Sequence, residues 1–183
     1  MANSVNLIIR DAVMDDVRGC AALDHRYETD HVWQMQVRHE DGWQIAFRPE
    51  RLPRTLEGKP NPDMRRLESA VAPEHCFLVA SDRSSGDMLG YLTMRGDALV
   101  RVGHIQDFAV DAEARRCGIG KRLLTVAVNW AKEHQIIRIQ AAVQTTNYPA
   151  SAFLQGQGFV FCGFNEFYFP NRDIALFFSQ AVR

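Results

Sequence analysis

Apolar positions along the chain recur at two spacings, every second residue and every third or fourth, and these mark out strands and helices. Val5 to Arg10 predicts a first strand. Asp15 and Asp16 favour the start of a helix running towards Tyr27, with Val17, Cys20, Ala21 and Leu23 as inner positions. Val32 to Val37 and Trp43 to Phe47 predict two strands joined through the hairpin signal Asp41-Gly42. Arg48 to Pro62 is rich in proline and charge and reads as a loop. Asn61 or Asp63 would cap a short helix that ends by Val71, before Pro73.

The second half alternates differently. Cys76 to Ala80 and Met88 to Met94 are short strands on either side of the turn SDRSSGD, and Gly96-Asp97 makes another turn. Leu99 to Val110 is the longest strand candidate. After a helix, Ile136 to Val143 alternates Ile137, Ile139, Ala141 and Val143 on one side. Asn147 caps a helix from Tyr148 to Gln155, with Pro149 in the first turn, where its missing N–H costs little. Phe159 to Phe169 and Ile174 to Phe178 close the chain as strands. Strands and helices alternate here but pair as hairpins before it. That predicts a mixed sheet covered by helices, an α/β or α+β domain, and 183 residues suit one domain.

The stretch HIQDFAVDAEARRCGIGKRLL, residues 104 to 124, carries the chemistry. An apolar strand ends at Val110, a polar turn follows, and Gly118 and Gly120 open a helix with Ile119, Leu123, Val126 and Trp130 on one stripe. The first N–H groups of a helix have no intrahelical partner, and with the helix dipole they attract an anion. Arg115, Arg116, Lys121 and Arg122 add positive charge. Phosphate or pyrophosphate binding is the chemistry implied. The segment G-x-x-x-x-G-K-[ST] is absent, and Gly118-x-Gly120 is followed by Leu123 where a dinucleotide fingerprint needs a third glycine.

Composition narrows the class. Apolar content of 46% and charged content of 23% allow a globular core, and a net charge of −1 argues against a general nucleic-acid binder. No apolar run approaches the length of a membrane span, and the N-terminal residues lack the pattern of a signal peptide. Cys20, Cys76, Cys117 and Cys162 are scattered without C-x-x-C spacing, which argues against a zinc site and for reduced thiols in a cytoplasm.

What remains after those exclusions is Arg115-x-x-Gly118-x-Gly120 behind Phe108-Ala109-Val110. It resembles the acetyl-CoA signature R/Q-x-x-G-x-G/A of the GNAT superfamily of N-acetyltransferases. Asn147-x-x-Ala150 with Phe153, then Gly158-Phe159, is similar to a second landmark of that family. The segments ALDHRYETDHVWQMQV and GFVFCGF are more weakly similar to streptothricin acetyltransferases. The resemblance covers nearly the whole chain. It implies a mixed, mostly antiparallel central sheet flanked by helices, with central strands that splay apart.

The resemblance also implies roles. Acetyl-CoA would be the cosubstrate, with no metal. Its pantetheine arm would pair with backbone groups near Phe108, Ala109 and Val110, and its pyrophosphate would sit on N–H groups among Arg115, Arg116, Cys117, Gly118, Ile119, Gly120 and Lys121. A backbone N–H near Val110 would polarise the thioester carbonyl. Asn147 and Phe153 would contact the cofactor arm. Asp107 is the favoured base, with a structural carboxylate as the alternative reading. The family often places a tyrosine acid where this chain has Leu154, so Tyr168 or Tyr148 must replace it, or solvent does. Glu28 and Asp30, in an acidic cluster with Asp24, would draw a cationic amine. The implied activity is acetyl transfer to a primary amine by direct attack. A small, antibiotic-like molecule is the first candidate acceptor. A peptide N-terminus and a non-catalytic acyl-CoA-binding module are the alternatives. Neither nucleic acid nor membrane is a partner, and a homodimer is compatible with the reading.

Overall fold

A computed structural model of the chain describes residues 6–183. The predicted first strand begins at Val5, which lies outside the described residues; within them β1 spans Leu7–Asp11. The other strands are β2 (Tyr27–Arg38), β3 (Gln44–Gly58), β4 (His75–Asp82), β5 (Met88–Asp97), β6 (Val102–Val110), β7 (Arg138–Gln144), β8 (Val160–Asn165) and β9 (Ala175–Ala181). The helices are α1 (Asp16–Ala22), α2 (Met64–Ala70), α3 (Ile119–Glu133) and α4 (Tyr148–Gly156), with a single 3-10 turn at Ala112–Ala114. Seven strands share one sheet in the order β1-β4-β5-β6-β7-β9-β8, and β2 pairs with β3 as a separate ribbon. From β1 to β6 the neighbours run antiparallel, and β6 runs parallel to β7. This is the mixed, mostly antiparallel sheet flanked by helices that the sequence implied.

Contacts divide the chain into two compact units. The first takes the chain up to His25, Pro60–Ala141 and Ser179–Arg183, and the second takes Arg26–Lys59 and Ala142–Phe178. In the first unit, β4 has a continuous buried run from Cys76 to Ala80, as a strand covered on both faces should. One face, with Phe77, Val79 and Tyr91, packs on Val17 and Cys20 of α1 and on Leu67 and Ala70 of α2. Burial pushes the Cys20 thiol up to about 12, so it behaves as a small apolar side chain. α3 packs on β4, β5 and β6, burying Ile119, Leu123, Leu124, Ala127 and Ala131. The predicted stripe is therefore rotated: Ile119 and Leu123 are inside, while Val126 and Trp130 are only half-buried.

Several boundaries differ from the sequence reading. α1 stops at Ala22, because Leu23 leaves the helix with extended backbone (φ −59°, ψ 152°). Asp63, not Asn61, caps α2, accepting from the N–H groups of Arg65 and Arg66. Leu99 and Val100 lie in the β5–β6 turn, and Leu99 is 96% exposed.

The largest difference is in the second unit, where the proline-rich stretch after Arg48 forms most of β3. An edge strand tolerates proline because its outward N–H needs no partner. Register also shifts between Thr29 and His31, so Pro53 falls in the irregularity between Arg51 and Leu56. In the same unit Phe47 packs on Phe161 and Phe164, and Trp33 Nε1 donates to the buried Ser151 hydroxyl at 2.8 Å.

Candidate functional site

The site is built on the C-terminal end of β6. Its ladder with β5 continues to the pair Gly90–Val110, whereas its ladder with β7 stops at Ile105–Ala141. β6 runs on to Val110, beyond the last described β7 pair. An irregularity where Thr93 opposes Asp107 and Met94 opposes Ile105 leaves Gln106 as the extra residue. Gly90 makes the strand end possible. A Cβ there would lie 2.7 Å from the carbonyl oxygen of Ala109. No local signal around Gly90 points to this role.

The loop that follows is held at its base by Asp111. Its N–H donates to the Leu89 carbonyl, and one carboxylate oxygen accepts from the Glu113 N–H, starting the 3-10 turn. Arg116 then takes left-handed backbone (φ 65°), and Gly118 does so again (φ 80°, ψ 3°) as the N-cap of α3. Left-handed residues within such a turn curl successive N–H groups into an anion-binding concavity. No side chain caps α3, so its first-turn donors and its dipole are open to a ligand. Arg116, Cys117, Lys121 and Arg122 are exposed around the loop, Gly120 is half-buried, and Ile119 is buried as the first core residue of the helix. A Cβ on Gly118 would meet nothing within 4 Å, so the space beside the loop is open. These features fit a pyrophosphate.

Arg115 Nε donates to the Val110 carbonyl at 3.0 Å, and its Nη2 donates to the Asp24 carbonyl at 3.1 Å. The guanidinium is thus turned onto the protein backbone.

Asp107 is buried, with 8% of its side chain exposed, and it is not a free carboxylate. Arg66 of α2 grips it with two N–H donors, the first at 2.9 Å, and the Thr93 hydroxyl donates at 3.1 Å. The pairing raises the Arg66 pKa further, keeping the guanidinium charged. A base would have to leave this grip to take a proton, so the geometry favours the structural-carboxylate reading. Next to it, the buried Tyr91 hydroxyl is hydrogen-bonded to His25 Nε2 at 3.1 Å. Burial, and then the Asp107 charge, push the Tyr91 phenol upward, so it remains protonated. Arg66, Thr93 and Tyr91 are polar groups the sequence did not single out, and His25, expected only beside the acidic cluster, is bonded to Tyr91. They come from one helix, one strand and one connecting segment, and no local spacing announces their meeting.

The remaining candidates lie in the second unit. The Asn147 side chain accepts from the Ala150 N–H, capping α4 as expected. Phe153 is half-buried on α4, and Leu154 is buried. Glu28 is exposed on β2. Asp30 is bonded to His31 Nδ1 at 2.7 Å and lies 3.6 Å from Arg51. His31 and then Arg51 hold its carboxyl below the usual range, so it is charged but already paired. The Tyr148 ring packs against His31 and Trp33. Tyr168 is 53% exposed in the β8–β9 connection, beyond the end of β8, edge-on to Phe169 and Phe177.

A family model described as acetyltransferase (GNAT) family matches residues 39–159. No curated protein sequence matches the chain significantly. Among solved structures, a nourseothricin acetyltransferase is similar with a TM-score of 0.85 at 24% identity, over 97% of this chain and 99% of that one. A candidate streptothricin acetyltransferase from Bacillus anthracis str. Ames, in complex with acetyl coenzyme A, is similar with a TM-score of 0.78 at 21% identity, over 99% and 100%. The ribosomal-protein-S18-alanine N-acetyltransferase from Escherichia coli is similar with a TM-score of 0.66 at 14% identity, over 96% and 94%.

Proposed function

We propose a small-molecule primary amine as the acceptor for this chain, which belongs to the acetyltransferase (GNAT) family and is an acetyl-CoA-dependent acyltransferase. The single observation behind the small-molecule choice is the likeness to an antibiotic-modifying acetyltransferase over nearly the full length of both chains. The likeness to a ribosomal-protein acetyltransferase keeps a peptide N-terminus as the second reading.

The cosubstrate supplies the activated acetyl group. This chain's residues bind and orient it. N–H groups from Arg116 to Lys121 take the pyrophosphate, and the backbone of β6 from Gln106 to Val110 takes the amide-bearing arm. In this reading the Val110 N–H polarises the thioester carbonyl. Orientation of this kind and carbonyl polarisation are the main sources of rate. No covalent enzyme intermediate is involved, and Cys117 sits on the anion loop rather than at the strand end. The reduced cysteines suit a cytoplasmic protein.

The test is release of free CoA, with mass-spectrometric product detection, across a panel holding a streptothricin, aminoglycosides, polyamines and alanine-terminated peptides. Acetylation of an antibiotic-like or other small amine is expected. Acetylation of the peptides alone would move the acceptor to protein N-termini. Tight acetyl-CoA binding with no product anywhere in the panel would leave a binding module.

A further inference from the structure

We propose that Arg115 is a positioning residue that fastens the acceptor side of the site to the anion loop, and that it is not a ligand of the pyrophosphate. The proposal rests on the acetyltransferase reading above and adds where the amine approaches. A guanidinium is a rigid fork whose donors point in fixed directions. Here Nε holds the carbonyl of Val110, the last residue of β6, and Nη2 holds the carbonyl of Asp24. A second tie runs alongside: the Asp24 N–H donates to Asp111 Oδ2 at 3.1 Å. Asp111 is itself fixed through the Leu89 carbonyl and the 3-10 turn.

These bonds pin the short segment Leu23–His25, just after α1, against the end of β6. Leu23, the first residue past α1, is extended without belonging to a strand. The segment carries polar chemistry. His25 Nδ1 is bonded to the Leu23 carbonyl at 2.7 Å, which makes it the donor and leaves Nε2 to accept from Tyr91. An imidazole and the Asp24 backbone are thereby presented beside the strand end where the thioester carbonyl would lie. The segment forms one wall for the incoming amine. Because Arg115 stands at the start of the anion loop, ordering of that loop by acetyl-CoA also orders the wall, and the amine then binds to a formed site.

The test compares Arg115→Lys and Arg115→Ala with the parent, using calorimetry with acetyl-CoA and steady-state kinetics with the best amine of the panel. Lysine keeps the charge but cannot bridge two carbonyls. Both variants should bind acetyl-CoA within about threefold of the parent, while the amine KM rises about tenfold or more, the worth of one or two charge-assisted bonds. kcat should change less than KM, and methylguanidinium should partly restore the amine KM of Arg115→Ala. The opposite pattern overturns the proposal: acetyl-CoA affinity lost in Arg115→Ala, kept in Arg115→Lys, with the amine KM unmoved.

If the variants do not fold, hydrogen exchange on the parent decides. Acetyl-CoA should slow exchange at the Asp24 and His25 amides together with those of residues 116–121. Protection confined to 116–121 refutes the coupling. If no amine is acetylated, the acceptor reading fails on its own, and the exchange experiment still decides the role of Arg115.

Discussion

Replacing Gly118 by alanine separates the cost of the loop's shape from the cost of crowding its ligand. Gly118 sits at φ 80° and ψ 3°. An L-residue in the left-handed region costs about 1–2 kcal/mol. The new methyl meets nothing within 4 Å, so no collision adds to the strain and no contact offsets it. In a chain of this size that strain lowers Tm by about 2–8 °C. The methyl would also stand in the open space beside the loop's N–H donors. Losing one or two hydrogen bonds to a charged phosphate would weaken acetyl-CoA binding by about 10- to 100-fold. Gly118→Asn is the control, because asparagine tolerates the left-handed region better than alanine. It should lose less in Tm than Gly118→Ala and at least as much in affinity. Thermal unfolding without ligand and calorimetry with acetyl-CoA measure the two terms. A Gly118→Ala protein with the parent's Tm would refute the backbone argument. One with the worked Tm loss but the parent's affinity would show that the anion site lies elsewhere.

Asp107→Asn should cost about 1–3 kcal/mol, discounted for the half-exposed Arg66 it leaves without a counter-charge, and should lower kcat by less than about tenfold. A kcat loss of about 10²-fold or more with an unchanged Tm, and a lost acidic limb in the pH profile, would make Asp107 the base after all. If Tyr168 supplies the proton to the departing thiolate in place of the family's tyrosine at Leu154, Tyr168→Phe should lower kcat by about 10²–10⁴-fold with acetyl-CoA affinity intact. An unchanged kcat removes Tyr168 from the reaction. Arg10 forks onto Asp16 through two bonds of 2.7 Å and holds its carboxyl below the ordinary range. The unfolded chain therefore takes up that proton first, so the pair's contribution is complete above the ordinary carboxylate pKa and is lost as pH falls through the folded value. Asp16→Asn should cost about 0.5–1 kcal/mol in urea unfolding at neutral pH and much less at pH ~3. An equal loss at both would refute the assignment.

The sequence by itself determined the elements whose signals are local. The strand, glycine and helix order around Gly118 needed only residues close in the chain, because a left-handed turn, an uncapped helix start and an apolar stripe are properties of adjacent residues. The cap at Asn147 and the buried alternation of Ile139, Ala141 and Val143 were legible for the same reason, although Ile137, expected on the same side, lies before β7 and is exposed. The tertiary structure decided what long-range pairing controls. The ribbon partner turned the proline-rich stretch of β3 from a loop into a strand, since a two-stranded ribbon leaves an outer edge where proline costs nothing. The parallel pairing of Val102–Ile105 of β6 with Arg138–Ala141 of β7 joins segments on either side of α3, and no residue in either strand encodes it alone. The grip of Arg66 on Asp107 joins positions 41 residues apart. The turn of Arg115 onto Asp24 joins positions 91 apart. A charged side chain in a motif names its chemistry, but its partner is fixed only when the chain has folded and every buried donor has found an acceptor.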